Sequence, residues 1–268
     1  MAIITISRGS YSYGKAIAEQ VAKQLGYECI AREVLLDASG EFNIDEVKLI
    51  RALHDAPSIL ERFTHGREKY IAYIQAALLK HLQRDNVVYH GLAGHFFVAG
   101  VSHVLKVRII ADLDERVKLE VKRNAISEDE ALRILVNDDE ERRRWSKHLY
   151  GIDTWDASLY DVVIHVRKIR IEDAVEIICR TASLEHFRTT PESQGAMNDL
   201  VLAADVKSRL VDAYPNTRVT SHEGVVTVRI PTSGMEELKV VKEITAMAEK
   251  VEGVKEVKVD TVPSTAYM

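Results

Sequence analysis

The hydrophobic and polar positions divide the first 184 residues into short apolar, mostly β-branched runs that alternate with amphipathic segments. This rhythm is typical of a parallel sheet whose strands are joined by crossover helices. The apolar runs predict five strands, at Ile3–Ser7, Glu28–Ala31, Asn86–His90, Val104–Ala111 and Asp161–Val166. Between the first two, GKAIAEQVAKQLG has apolar residues at helical spacing and a glycine stop. The predicted fold class of this part is therefore α/β.

Three further stretches have the helical period. HGREKYIAYIQAALLKHLQRDN predicts a long helix before the third strand, and IEDAVEIICRTASL predicts the helix that closes this part of the chain. Between them, DLDERVKLEVKRNAISEDEALRILVNDDEERRRWSKHLYG predicts two charged helices, the second of which is capped by Ser127.

The composition changes at EHFRTTPESQG, a polar stretch with proline and glycine that predicts a linker at residues 185–195. It separates a first domain, residues 1–184, from a second, residues 196–262. The second has the order helix, strand, strand, helix, strand, with a hairpin that turns near Glu223-Gly224. We expect a small α+β domain in which an antiparallel sheet carries its helices on one face.

Composition narrows the class of protein. A length of 268 residues with 46% hydrophobic residues is enough to bury a full core, and the net charge of -5 does not favour a nucleic-acid partner or an anionic membrane. The chain has no apolar run near the ~20 residues of a membrane span and no signal-peptide pattern. Cys29 and Cys179 lie in apolar surroundings, which predicts core residues in a reducing compartment. We expect a cytoplasmic protein.

A phosphate-binding loop is predicted directly after the first strand. The stretch ISRGSYSYGKAIAEQ has two glycines separated by four residues and then a lysine. A loop between a strand and a helix aims backbone N–H groups and a helix N-terminus at an anion. The alternative is a strand–turn–helix whose glycines only relieve strain, but the context favours phosphate binding. The predicted loop comprises Gly9, Ser10, Tyr11, Ser12, Tyr13, Gly14, Lys15 and Ala16.

Ala16 stands where such loops normally carry a hydroxyl for magnesium. Mg²⁺ keeps several waters and needs only one or two protein oxygens, so we expect it to be held mainly by the nucleotide phosphates and water. No protein metal site is predicted. His90 and His95 lack a third ligand at metal spacing, which favours substrate contact or packing over zinc.

A cluster of cations in DDEERRRWSKHLYGIDTWD predicts a lid. Positive charge on a mobile helical hairpin can close over phosphates and neutralise the transferred group. The alternative is a solvated basic face paired with Glu140 and Glu141. With a phosphate loop in the same domain, the lid is favoured, and the predicted catalytic residues are Lys15, Arg142, Arg144 and Lys147.

The sequence has no motif for a catalytic base of the kind that activates a hydroxyl acceptor. An acceptor that already bears an anionic phosphate oxygen needs no such base. Positioning and electrostatic stabilisation would then supply nearly all of the catalysis.

These segments resemble the cytidylate kinase-like family of P-loop kinases. The opening ITISRGSYSYGKAIAEQVAKQLGYECIAREVL is similar to the family's strand, glycine-rich loop and first helix. The later positions that match are Asp139, Arg142, Arg144, Lys147, Gly151, Asp156 and Tyr160. The resemblance covers residues 1–183. It implies a five-stranded parallel sheet, a helical lid, ATP as the donor and a nucleoside monophosphate, CMP by the family name, as the acceptor.

The chain departs from the family pattern at three positions. Leu92 replaces the arginine of a Gly-Arg-Gly turn, Ala31 replaces a common aspartate, and Ala16 replaces the loop hydroxyl. These departures keep open a nucleotide-binding regulator without turnover. The candidate acceptor-binding residues are Arg32, Arg67, Tyr70, His90 and Gly91.

The C-terminal part resembles a BON domain in its element order, in Gly224 of the hairpin and in Gly253 of the VEGVKEV end. In exported proteins such modules are linked to phospholipids, but this segment has no basic amphipathic helix. We therefore expect a role in assembly of a homo-oligomer, in binding a partner or in sensing a small ligand, with a purely structural role as the alternative. A further alternative for the whole chain is an interaction protein in which the BON-like domain binds lipid or a partner and the kinase fold serves as a scaffold.

Overall fold

The computed structural model describes residues 2–8, 13–31, 33–42, 67–91, 94–232 and 237–262. These residues form two compact units. Unit 1 holds the described residues up to Val34 and those from Arg84 to Thr190, and unit 2 holds those from Leu35 to Gln83 and from Pro191 onward.

Unit 1 contains a five-stranded parallel sheet in the order β2-β3-β1-β4-β5. Its strands are β1 Ile3–Arg8, β2 Glu28–Ile30, β3 Val87–His90, β4 Val104–Ala111 and β5 Val162–Val166. The predicted α/β class and five parallel strands are confirmed, and each strand lies within one residue of its predicted bounds.

The described helices of both units include the predicted ones in their predicted order and two that were not predicted, at Glu33–Phe42 and Gly94–Phe97. They are α1 Gly14–Leu25, α2 Glu33–Phe42, α3 Arg67–Leu82, α4 Gly94–Phe97, α5 Leu113–Asn124, α6 Glu128–Tyr150, α7 Ile171–Ala182, α8 Pro191–Leu210 and α9 Glu237–Ala248.

The two faces of the large sheet differ in character. We call the side covered by α1 and α7 the first face; there Ile4 and Val107 pack with Ile17 and Ile178 in one apolar core. Neither Cys29 nor Cys179 forms a disulfide bond, and both belong to this core or its margin. Because side chains alternate along a strand, the intervening residues point to the second face, which carries Thr5, Ser7, Tyr89, Lys106 and Arg108.

Helices α5 and α6 form a charged hairpin with a small core of its own. Val117 packs against Ala131 and Leu135, and Arg116 Nη1 lies 2.8 Å from Asp139 Oδ2. Ser127 Oγ accepts from the Glu130 N–H at 3.2 Å, so the predicted helix cap is confirmed.

Unit 2 contains a three-stranded sheet in the order β6-β7-β8, formed by β6 Arg218–His222, β7 Val225–Pro231 and β8 Glu256–Val262. The hairpin turns at Glu223-Gly224, as predicted, with φ angles of 51° and 87°, the left-handed values that two-residue hairpin loops use. The expected all-antiparallel sheet is wrong, because β8 pairs with β7 in parallel. Helix α9 makes the crossover that a parallel pair requires.

Unit 2 also includes α3 and all of α2 from Leu35 onward, both of which precede residue 184 in the chain. The rings of Phe42 and Tyr73 stack at 4.1 Å, and both pack with Val211, just beyond α8. Tyr73 Oη donates to Asp212 Oδ2 at 3.2 Å, and Lys69 Nζ lies 2.6 Å from Asp212 Oδ1. This grouping follows tertiary contacts rather than the predicted domain bounds.

The predicted linker at residues 185–195 has regular structure. A short 3₁₀ helix covers Glu185–Phe187, and α8 begins at Pro191. Proline is favoured at the first helical position because its φ angle is already helical and its missing N–H costs no hydrogen bond there. In the described ranges, no helix is both long enough and apolar enough to cross a lipid bilayer.

Candidate phosphate-binding site

Helix α1 begins close to the end of β1, and a glycine at its first position permits this approach. A Cβ atom on Gly14 would lie 2.7 Å from Arg8 Cδ and 2.9 Å from Arg8 Cβ, closer than real Cβ contacts. Tyr13, just before the helix, has a left-handed backbone with a φ of 64°. No acidic residue occurs in the first turn of α1, so its N–H groups and positive dipole end suit an anion.

Lys15 follows at the second position of α1 with its side chain 66% exposed. Its Nζ lies 3.7 Å from Glu19 Oε1, a surface pair of the kind that contributes little stability. The ammonium group is therefore available to a phosphate at the helix N-terminus. Ala16 adds no oxygen ligand, and the predicted loop residues Gly9–Ser12 lie outside the described residues.

Two cations of the predicted lid converge on one carboxylate. Arg143 donates from Nε to Asp153 Oδ1 at 2.9 Å and from Nη2 to Oδ2 at 2.6 Å, and Lys147 Nζ lies 3.0 Å from Oδ2. The Arg143 guanidinium also stacks 4.4 Å from the Trp155 ring centroid. Arg143, and then Lys147, hold the pKa of the Asp153 carboxyl well below its usual range. Arg143 was not among the predicted catalytic residues.

The predicted cations Arg142 and Arg144 lie on opposite sides of α6, because two positions correspond to about 200° of rotation. Arg144 is exposed, and its Nη2 lies 2.7 Å from Glu140 Oε2. Arg142 is partly buried and forms no ion pair with any described residue. The structure thus brings Lys147 together with Arg143, and it separates Arg142 from Arg144.

Several positions of the family-like lid segment shape the backbone. Asp139 binds Arg116 between α5 and α6. Gly151 ends α6 with a left-handed φ of 68°, which favours glycine. Asp156 Oδ1 accepts from the Ser158 N–H at 2.9 Å and begins the 3₁₀ turn that leads to Tyr160.

The candidate acceptor residues fall in both units. His90 is buried at the end of β3, and Gly91 follows it. A side chain at Gly91 would overlap the Tyr89 hydroxyl, and a Cβ on Gly94 would lie 2.5 Å from Tyr89 Cδ1, so the two glycines make room for that ring. Tyr70 lies on α3 in unit 2, and α3 begins at Arg67. Arg32 and Leu92 lie outside the described residues.

A polar network on the second face was missed by the sequence analysis. Arg108 Nη1 donates to Tyr160 Oη at 3.1 Å and also to the Thr154 carbonyl. Tyr160 Oη lies 3.3 Å from His95 Nε2 and 3.3 Å from Ser7 Oγ. Burial, with Arg108 and Lys106 nearby, lowers the pKa of His95 to about 3, so its imidazole is neutral near pH 7. In the sequence, this network is indicated by two cations, Lys106 and Arg108, at alternate positions of the apolar run LKVRIIA.

Metal and nucleotide binding place different demands on these residues. Among the described residues, no group of three His, Cys, Asp or Glu side chains is arranged to hold a metal ion. The amide groups of the first turn of α1 and the Lys15 ammonium are donors. Such a donor set fits phosphate oxygens rather than a bare cation.

Comparisons with known proteins agree with this geometry. Residues 3–168 match the family described as the cytidylate kinase-like family. Cytidylate kinase of Sulfolobus acidocaldarius is 28% identical over 187 residues, which cover 69% of this chain and 97% of that protein. Cytidylate kinase of Ignicoccus hospitalis is 26% identical over 181 residues, which cover 67% and 98%.

One solved structure, an uncharacterized protein from Eubacterium ventriosum, superimposes with a TM-score of 0.53 at 18% identity and covers 68% of this chain and 98% of its own. This likeness supports the fold alone. The family match spans well over half of the chain and includes all five strands of the large sheet, so the chain belongs to the cytidylate kinase-like family.

Proposed function

We propose that this protein transfers the terminal phosphoryl group of ATP to the phosphate of a nucleoside monophosphate, with CMP as the acceptor. The observation that carries the proposal is the N-terminus of α1 at the end of β1 in a five-stranded parallel sheet, with Lys15 and no acidic residue in its first turn. Ligands of such folds bind outside the carboxyl ends of the strands. The relatives named cytidylate kinase support the choice of acceptor.

The donor site uses the first turn of α1. Its backbone N–H groups hold phosphate oxygens, and Lys15 exchanges its weak contact with Glu19 for the outer phosphates of ATP. ATP supplies the transferable phosphoryl group. Mg²⁺ would be held mainly by the ATP phosphates and water, since the Ala16 side chain offers no oxygen.

The lid contributes positive charge near the transferred group. Arg142 is the first candidate, because it is partly buried and has no ion-pair partner among the described residues. Lys147 is the second, and it reaches phosphate by leaving Asp153, which Arg143 continues to hold. The remaining predicted cation, Arg144, already pairs with Glu140. No catalytic base is needed, because the acceptor phosphate oxygen is already anionic.

A second candidate function is a nucleotide-binding regulator without turnover. The specific observation that favours it is the pairing of both Arg143 and Lys147 with Asp153, together with the missing hydroxyl at Ala16. Such a protein would bind ATP through α1 but would not bring enough positive charge to the transferred group.

The C-terminal part is proposed to act as a BON-like module in the cytoplasm. Its elements α8, β6, β7, α9 and β8 follow the order helix, strand, strand, helix, strand. One face of the small sheet packs on the apolar core. The strand positions between the core residues carry charged side chains such as Arg229, Asp260 and Lys258. A charged surface of this kind suits a protein partner, a second copy of the chain or a polar ligand better than a lipid interior.

The test is a coupled assay of ADP release by the full chain with ATP and a panel of CMP, UMP, AMP and GMP. Lys15→Ala should lower the rate about 100-fold or more, since it removes a charge aimed at the transferred group. Lys23→Ala, in the last turn of the same helix, is the matched control and should match the wild type. ATP binding without acceptor-dependent ADP release would favour the regulator. Equal rates for the two variants would contradict the donor site.

A further inference from the structure

Strand β4 places two cations side by side on the second face of the large sheet. Lys106 and Arg108 pair in register with Thr5 and Ser7 of β1. Leu105, Val107 and Ile109 alternate with them and lie in the core of the first face. Ser7 is the penultimate residue of β1, and β3 ends at the level of Ile6. The two cations therefore lie beside the carboxyl ends of β1 and β3, where ligands of parallel sheets bind.

Neither cation has a counter-charge within the part of the chain that the structure describes. No carboxylate oxygen lies within 4.0 Å of the Lys106 ammonium or the Arg108 guanidinium. The nearby Asp161 carboxylate instead accepts from the Lys106 backbone N–H at 2.8 Å. Two partly buried, uncompensated charges on an inner strand are costly unless an anion joins them.

Arg108 is held in a fixed orientation by neutral groups. Its Nη1 binds Tyr160 Oη and the Thr154 carbonyl, and its Cζ lies 5.4 Å from the Tyr160 ring centroid. Its Nε and Nη2 form no hydrogen bond with a described residue. A guanidinium with one fixed nitrogen and a free donor edge can bind a phosphate in a bidentate manner.

The neighbouring groups complete a site for an anion. Ser7 Oγ, 3.3 Å from Tyr160 Oη, adds a hydroxyl donor on the same face. His95 Nε2 contacts the same Tyr160 hydroxyl and contributes a neutral ring. The described part of this cluster thus contains two cations, two hydroxyls and an imidazole, and the Asp161 carboxylate beside it is committed to a backbone amide.

We infer that Arg108 and Lys106, with Ser7, bind the phosphate group of the acceptor nucleotide. The inference rests on the proposed function and names the residues that recognise the acceptor. Phosphate at this place could also come from free inorganic phosphate, which presents the same oxygens. The two sources differ in whether the ligand competes with CMP.

Calorimetric titration of the full chain with CMP, cytidine and inorganic phosphate tests the site. We expect CMP to bind more tightly than cytidine. Arg108→Gln should weaken CMP about 10- to 100-fold, the usual loss for one charge-assisted contact, and leave cytidine unchanged. Arg229→Gln is the matched control, because Arg229 lies in unit 2 and contacts Asp260 at 3.4 Å. Wild-type CMP affinity in Arg108→Gln would overturn the inference.

Two further variants separate phosphate binding from packing. Tyr160→Phe removes the hydroxyl contact but keeps the Arg108 guanidinium. We therefore expect a lower Tm with little change in CMP affinity. The Lys106 ammonium forms no hydrogen bond or ion pair with a described residue, so Lys106→Met removes no such contact. It should weaken CMP several-fold without a fall in Tm, even if Arg108→Gln does not fold. Lys106→Met with unchanged CMP affinity would contradict the two-cation site.

The remaining outcomes distinguish the inference from the proposed function. CMP binding that depends on Arg108, without ADP release, would support the site and reject the kinase. Turnover in Arg108→Gln with a wild-type KM for CMP would support the kinase and reject the site. Inorganic phosphate that binds through Arg108 without competing with CMP would overturn the acceptor assignment.

Discussion

Arg143 and Asp153 form a bidentate ion pair that holds the segment after α6 against that helix. Gly151 ends the helix and reverses the chain, so Asp153 returns to the level of residues 143–147. Lys147 shares the same carboxylate. The relationship makes Asp153 the residue that organises this end of the candidate lid.

The first prediction concerns Asp153→Asn. The neutral amide cannot balance Arg143 and Lys147, so the segment that follows Gly151 should loosen. Hydrogen exchange of residues 143–155 should be faster in the variant than in the wild type. Glu140→Gln is the control, because its pair with Arg144 is exposed and should add little protection. Equal exchange in wild type and Asp153→Asn would show that the ion pair does not hold the segment.

The second prediction is the pH dependence of the same contact. Arg143 lowers the folded-state pKa of Asp153 well below the unfolded value of about 3.9. Its stabilising effect is therefore complete above that unfolded value and is lost as the pH falls through the folded pKa. Hydrogen exchange of the segment, corrected for its intrinsic pH dependence, should be constant from pH 8 to pH 5. A loss of protection between pH 7 and pH 5 would point to a histidine instead.

The third prediction separates the lid arginines. Arg142→Ala should lower kcat about 10- to 100-fold, because it removes the lid cation that has no ion pair with a described residue. Arg144→Ala should change kcat less than twofold, since Arg144 is 66% exposed and pairs with Glu140. Steady-state kinetics with saturating ATP measure both. Equal losses of kcat in the two variants would mean that the lid arginines contribute their positive charge collectively, whatever their ion pairs.

The fourth prediction compares two glycines. Gly14→Ala should destabilise the chain by about 1–3 kcal/mol, because the new methyl group meets Arg8 Cβ at the β1–α1 junction. Gly40→Ala in α2 meets no atom within 4 Å and should stabilise by about 0.5–1 kcal/mol through helix propensity. Urea unfolding measures both. Unchanged stability and ATP binding in Gly14→Ala would show that the junction tolerates a side chain.

The fifth prediction is that ending the chain at Thr190 lowers its stability. The truncation removes Val211 and Asp212, which contact Tyr73 of α3, so apolar surface of α3 loses its cover. Tm should fall by several degrees and binding of a hydrophobic dye should rise. Val211→Ser in the full chain should reproduce part of the loss, about 2 kcal/mol. An unchanged Tm in the shortened chain would show that α3 needs no C-terminal partner.

The sequence was sufficient to predict the strands and helices that the local pattern of hydrophobic and polar residues determines. The strands of the large sheet alternate or cluster β-branched residues, and α1 has a helical period with Gly26 as its stop. The parallel pairing of β8 was not predictable, because a strand that follows α9 can join the free edge of β6 or that of β7 with the same local pattern. The packing of α3 near Asp212 is non-local and has no local signature.

The candidate site divides in the same way. Gly14 and Lys15 lie at the start of α1, where their spacing predicted them. The opposite orientation of Arg142 and Arg144 follows from helix geometry alone and could have been predicted. Arg108 could not be assigned from the sequence, since its importance depends on Tyr160, which it binds, and on His95, which contacts Tyr160; both come from distant segments.

The bond between Tyr73 and Asp212 joins residues that are 139 positions apart in the chain. Ribosomes add about 5–20 residues per second, so Tyr73 leaves the exit tunnel roughly 7–28 s before its partner. During that interval the face of α3 that carries Tyr73 is not yet covered by Val211 and Asp212. Unit 2 therefore becomes complete only when the last quarter of the chain has been made.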